Sequence, residues 1–235
     1  MKTESTLEGI DTETIDREVE FLSRFMGSER FDTLCQTTKL RTNYMTVCVE
    51  NIFHPQNASA IIRSCEAFGL QNVHVVENLT HFRPNVNIVK GSDKWVDINH
   101  YPKNTSTTDI INTLRSKGYK IVAATPHEVD YTPQTLDISE PIALFFGTEK
   151  QGISKELEQN ADSFIKIPMY GFVESLNVSV CAAIMIQTIM DRVRSSDIAW
   201  QLSERKQKEL LHRWMRYSVR DAERILQKFR DGEIL

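Results

Sequence analysis

The chain lacks any apolar run approaching the roughly 18 to 20 residues that a membrane span requires. It starts on Met1-Lys2-Thr3-Glu4-Ser5, which is polar and acidic rather than a secretory signal. Both absences predict a cytoplasmic protein with no membrane partner. Cysteine is sparse and dispersed: Cys35, Cys48, Cys65 and Cys181 lie in or beside apolar segments with no close pairing, so neither a disulfide framework nor a metal site is expected. The six histidines show no metal-ligand spacing either. Positive charge is not in excess. A formal net charge of -4 argues against a chain that coats nucleic acid non-specifically, although a local basic face could still bind RNA.

What is present has the balance of a globular protein, with 40% hydrophobic and 26% charged residues. A length of 235 residues suits one large domain or a core with helical extensions. Residues 1 to 42 carry an acidic start and then Ile15, Val19, Phe21, Leu22 and Phe25 near helical spacing, interrupted at Gly27-Ser28. This predicts one or two helices lying against the main domain.

Met45 to Ile52 reads as the first strand, followed by the polar turn His54-Pro55-Gln56-Asn57. Ala58 to Phe68 reads as a helix with Asn57 as N-cap and Gly69 as a left-handed stop, and Val73 to Glu77 as the next strand. Strand, helix and strand in this order make a βαβ unit, hence a parallel sheet with polar groups gathered beyond the strands' carboxyl ends. Residues 79 to 104 read as irregular, with Gly91 to Trp95 the leading candidate for a functional loop. Thr107 to Lys117 is a helix stopped by Gly118, and Tyr119 to Thr125 a strand. Pro141 to Phe146 is fully apolar, as in the buried centre of a parallel sheet.

That strand runs into Gly147-Thr148-Glu149-Lys150-Gln151-Gly152. Two glycines after a strand resemble the start of a P-loop, but Ile153 stands where the phosphate-binding lysine should follow, and the spacing also fails the dinucleotide fingerprint. What remains is a loop whose glycines let backbone amides approach a ligand closely, with Glu149 at its tip.

The stretch Ile165 to Val180 starts as a strand, breaks at Pro168 and Gly171, and launches a long apolar helix from Ser175 or Asn177. Glu174, Ser175 and Asn177 thus sit between two elements that have to be buried, where rigid flanks can aim them at a ligand. An ordinary strand-to-helix connection with a good cap reads the same way, so this stretch alone assigns no function. The helix Val178 to Arg194 is apolar around most of its circumference and therefore buried on most sides. In the last 40 or so residues a two-faced helical pattern sets Leu211, Trp214, Met215, Val219, Ala222, Ile225, Leu226 and Phe229 against a stripe of Arg213, Arg216, Arg220 and Arg224. The stripe is either a solvated face relieved by Glu209, Asp221 and Glu223 or an RNA backbone contact.

Read together, three segments resemble the three motifs of the SpoU (TrmH) family in the SPOUT superfamily of RNA 2'-O-ribose methyltransferases: Asn57 to Arg63, Phe146 to Ile153, and Ile167-Pro168-Met169 through Ser175 to Val180. The resemblance implies an α/β fold, a parallel sheet flanked by helices. It also implies a deep trefoil knot between about Ile142 and Arg194, against the general rule that chains do not thread themselves. The implied organisation is a helical extension over 1–42, a methyltransferase domain over 43–195 and a second helical extension over 196–235. S-adenosyl-L-methionine is the implied cofactor, surrounded by Thr125, Gly147, Ile167 and Leu176 largely through backbone groups. Members work as homodimers with sites at the interface.

The implied catalytic set is Arg63, Asn57, Glu149, Ser175 and Asn177. A guanidinium ordinarily keeps its proton. Arg63 would therefore either be polarised by an RNA phosphate so as to act as base, or orient phosphate and ribose while another group takes the proton. Asn57 would orient Arg63 or the substrate, Glu149 and Ser175 hold motif geometry or substrate, and Asn177 position the loop and the ribose. Short helical extensions in place of a separate RNA-binding domain resemble the members that methylate guanosine 18 in the tRNA D-loop, with the Arg213, Arg216, Arg220 and Arg224 stripe as an RNA contact. Ribosomal RNA as substrate, or a non-catalytic RNA-binding protein of the same fold, are the alternatives.

Overall fold

The computed structural model describes residues 10–52, 54–77, 89, 91–101, 105–127, 130–148 and 151–234. Contacts divide the chain into two units, Thr42–Trp200 and the two ends together, Met1–Arg41 with Gln201–Leu235.

The larger unit is an α/β layer structure around a six-stranded sheet in which every pairing is parallel. Its strands are β1 (Met45–Glu50), β2 (Asn72–Val76), β3 (Asp97–His100), β4 (Lys120–Ala124), β5 (Ile142–Phe146) and β6 (Ser163–Ile165), in the spatial order β3-β2-β1-β5-β4-β6. Every residue of β1 and β5 is buried, as expected for adjacent central strands covered on both faces. One face packs against α3 (Pro55–Ala67) and α6 (Val178–Arg194), through Ile61, Ile62, Met185, Ile186 and Ile189 against Val47, Val49 and Leu144. The other packs against α4 (Thr107–Ser116) and the short α5 (Lys155–Asn160), through Ile110, Leu114 and Leu157 against Cys48, Ile121 and Phe145.

Three local readings change. The helix after β1 begins at Pro55 with His54 as its N-cap, so Asn57 lies inside the first turn. Proline is at ease there because its missing N–H is one the helix start leaves unpaired. The segment read as irregular contains the edge strand β3, whose Asp-Ile-Asn-His sequence gave no apolar alternation. Gly91 to Trp95 forms a 3-10 turn over Ser92–Lys94 and does not border the cavity described below.

The terminal unit contains α1 (Thr12–Ser23), α2 (Ser28–Lys39), α7 (Glu204–Ser218) and α8 (Ala222–Arg230). Asp11 caps α1 by accepting from Thr14 N at 2.8 Å, and the interruption at Gly27-Ser28 falls between α1 and α2. Phe21 stacks on Phe229 at 4.2 Å, and Ile15, Leu22, Leu210 and Leu226 are buried. The C-terminal pattern is not one helix. Val219 is extended and Asp221 takes φ 56, which ends α7 and restarts the chain as α8. The arginine stripe is therefore split between two helices and their connection. No helix among the described residues is long and apolar enough to cross a membrane.

Candidate active site

In an all-parallel sheet the carboxyl ends of the strands open on one edge, and the crevice outside them is where ligands bind. Here three neighbouring strands, β5, β4 and β6, end at Phe146, Ala124 and Ile165, and each is followed within two residues by a group bordering one cavity: Gly147, Thr125 and Ile167. The cavity has a volume of about 620 Å3, within the range of about 300 to 1,000 Å3 usual for small-molecule sites. Ser175, Leu176, Asn177 and Val178 form a further wall, and His54 and Asn57 line it from the start of α3.

The loop after β5 is built for close approach. Thr148 N donates to Gly152 O at 2.8 Å and Gly152 N donates back to Thr148 O at 3.1 Å, while the Thr148 hydroxyl accepts from Gln151 N at 2.9 Å. Gly152 sits at φ 70, where L side chains are strained. Gly147 is required for a different reason: a Cβ there would run into the Gly152 carbonyl and lie 2.5 Å from Ile153 N. Glu149 lies outside the described residues.

Asn177 joins two of the three motifs. Its Oδ1 caps α6 by accepting from Ser179 N at 2.8 Å and from the Ser179 hydroxyl at 2.7 Å. Its amide nitrogen donates to Asn57 Oδ1 at 3.1 Å, across 120 residues of sequence. Asn57 is buried and Ser175 exposed. Asn57, Ser175, Asn177, Thr125, Gly147, Ile167 and Leu176 therefore converge on one cavity. Arg63 does not border it: it is exposed on α3 beyond the first turns.

Cys181 also lines the cavity, and burial pushes its thiol up to about 11, so it is protonated at neutral pH and unsuited as a nucleophile. The described residues hold no group of His, Cys, Asp and Glu suited to a metal ion. Of the stripe, Arg216 forms a two-pronged pair with Glu223 (Nε to Oε1 2.6 Å), Arg224 lies 3.6 Å and Arg220 4.0 Å from Asp221, and Arg213 is half-buried. Glu50, Ser154, His54 and Lys166 were not anticipated. The first two hold loops, and the last two line the cavity. A conformation-dependent convergence of such residues leaves no spacing signal in sequence.

A crevice of this kind, bounded by backbone at three strand ends and by an asparagine pair, is the ligand site of a parallel α/β protein, at the carboxyl edge of its sheet. The family comparison names it further: residues 44–187 match the model of the SpoU rRNA Methylase family, and the chain belongs to that family. It is 39% identical over 204 residues, 87% of this chain and 92% of the relative, to a tRNA (guanosine(18)-2'-O)-methyltransferase of Borreliella burgdorferi. The crystal structure of a TrmH/SpoU tRNA modifying enzyme of Aquifex aeolicus superposes with a TM-score of 0.72 at 28% identity, over 82% of this chain and 98% of that one. An AdoMet-bound rRNA methyltransferase from Sinorhizobium meliloti superposes with a TM-score of 0.56 at 25% identity, over 68% and 60%.

Proposed function

We propose that this chain is an S-adenosyl-L-methionine-dependent tRNA (guanosine-2'-O-)-methyltransferase acting on guanosine 18 of the D-loop, a cytoplasmic enzyme. The observation that carries the reading is the meeting of Thr125, Gly147, Ile167 and Leu176 around one cavity with the Asn57–Asn177 pair at its wall. The 39% identity to a tRNA (guanosine(18)-2'-O)-methyltransferase, over 92% of that relative, supports tRNA over ribosomal RNA.

The residues fit the cofactor. Gly147 lets the two arms of its loop close on each other beside the cavity, Ile167 and Leu176 offer apolar walls, and the strand ends offer backbone groups for a polar base. When bound, the cofactor supplies an electrophilic methyl on a sulfonium. Placing the ribose hydroxyl in line with it provides most of the rate enhancement, since oriented reactions gain on the order of 7 to 11 kcal/mol. Asn177 and Asn57 position the loop and the ribose, Ser175 and Glu149 hold substrate or motif geometry, and Arg63 contacts the RNA phosphate beside the reacting hydroxyl.

Because Arg63 stays off the cavity of its own chain, the site is completed by a second copy. α6 exposes Val180 and Ile184, and the preceding loop exposes Tyr170, Phe172 and Val173, a patch suited to a homodimer contact beside the site. The segment after β6, at the sheet's edge, returns past the ends of β4 and β5 to pack α6 against α3, a course consistent with a trefoil knot within 142–194. Residues 43–195 form the methyltransferase domain, with 1–42 and 196–235 as helical extensions. RNA contact falls first to Arg220 and Arg224, the exposed members of the stripe, with Arg213 and Arg216 behind them.

The test is transfer of a tritiated methyl group from S-adenosylmethionine to bulk tRNA and to ribosomal RNA, followed by mapping of the modified nucleotide. Label on tRNA at guanosine 18 is expected. Label on ribosomal RNA alone moves the substrate, and no transfer to either leaves only an RNA-binding role.

A further inference from the structure

Glu50 ends β1 with only 1% of its surface exposed. A carboxylate buried so deeply requires donors, and it finds three from two distant elements. The Thr107 hydroxyl donates to Oε1 at 2.7 Å, the Ser154 hydroxyl to the same oxygen at 2.9 Å, and Ser154 N to Oε2 at 3.2 Å. The Ser154 hydroxyl is held on both sides, because it also accepts from Leu157 N at 3.1 Å as the cap of α5.

What the carboxylate ties together matters more than the bonds themselves. Ser154 stands two residues beyond Gly152, so Glu50 anchors the far arm of the Gly147–Gly152 loop, whose near arm is continuous with β5. Asn51, the residue after Glu50, takes φ 50 and its N–H donates to Val76 O at 2.9 Å, turning the chain toward His54 and Asn57. The roots of two loops that line the cavity are thus fixed to each other through one side chain that does not itself line it.

We infer that Glu50 is a positioning residue for cofactor binding, locking the β5–α5 loop to the root of the β1–α3 loop. This rests on the cofactor reading above. In Glu50→Gln the amide oxygen can still accept from the two hydroxyls, but its NH2 group faces Ser154 N–H, donor against donor.

The experiment is calorimetric titration of the full-length protein with S-adenosylmethionine, alongside thermal melting and kcat at saturating cofactor. Glu50→Gln and Ser154→Ala are each expected to raise Kd about tenfold, the effect of losing one hydrogen bond to a charged group. Thr107→Val, which breaks the donor leading to α4, is expected to lower the melting temperature and leave Kd unchanged. A folded Glu50→Gln protein that binds as tightly as wild type overturns the inference. If Glu50→Gln does not fold, Ser154→Ala decides alone: unchanged Kd sinks the proposal. Failure of the wild-type protein to bind the cofactor is the separate result that removes the cofactor reading itself.

Discussion

Gly147 cannot be replaced without moving backbone, since the atoms a Cβ would meet belong to the main chain of Gly152 and Ile153 and have no rotamer to escape into. Gly147→Ala is expected to raise the Kd for S-adenosylmethionine at least about tenfold, or to displace the loop; a wild-type Kd by calorimetry would contradict the close approach. Arg63→Ala is the opposite case. Arg63 is exposed, so stability should shift by no more than about 0.5 kcal/mol. Cofactor affinity should hold while methyl transfer falls on the order of a hundredfold or more, the scale of a lost acid–base or phosphate-orienting group. Activity retained with cofactor binding lost would reverse the assignment. Gly147, Ile167, Asn57 and Asn177 were legible in sequence because they sit in the three motifs that carry the family resemblance, and Thr125 because that resemblance points to the end of the strand before them. Glu50 was not: its donors Thr107 and Ser154 lie 57 and 104 residues away, and before folding it is only a polar residue at a strand end.

At the scale of elements, continuous apolar runs made β1 and β5 readable, whereas β3 is polar and half-exposed and α5 has six residues, too few for a helical period to show. The break between α7 and α8 was hidden by an apolar pattern that continues through it. A buried cluster spans these helices. Glu18 is 1% exposed and accepts from His212 Nε2 at 2.6 Å and from Arg230 Nε at 2.6 Å. Burial alone would raise its carboxyl, but the hydrogen bonds from His212 and Arg230 prevail and bring it down from 4.5 to about 2. A carboxylate depressed in the folded state contributes stability that is complete above its unfolded value and lost as pH falls toward the folded one. Acid titration followed by circular dichroism should therefore show wild-type stability declining between about pH 4.5 and 2, with a flatter decline in Glu18→Gln. Equal acid profiles would remove Glu18 from the account. Glu18→Ala should cost on the order of 3 kcal/mol, because it strands fully buried His212 without its partner.

Across the whole molecule, the first and last segments, read in sequence as two helical extensions, form one unit in which α1 packs with α7, joined by contacts such as Glu18 to His212 that lie 194 residues apart. No local pattern encodes such a pairing. The exposed apolar patch of Tyr170, Phe172, Val180 and Ile184 leads to a prediction at this scale. Ile184→Asp should shift the sedimentation coefficient from dimer to monomer and reduce methyl transfer with it, because Arg63 then has no partner cavity to serve. A wild-type protein that sediments as a monomer with full activity would remove the shared-site reading.

Methyl transfer to a synthetic tRNA carrying either guanosine or 2'-deoxyguanosine at position 18, read by mass spectrometry, tests the central claim most directly. The expected result is a single methyl on the ribose of the first and none on the second. Equal methylation of both would place the target hydroxyl elsewhere and contradict it.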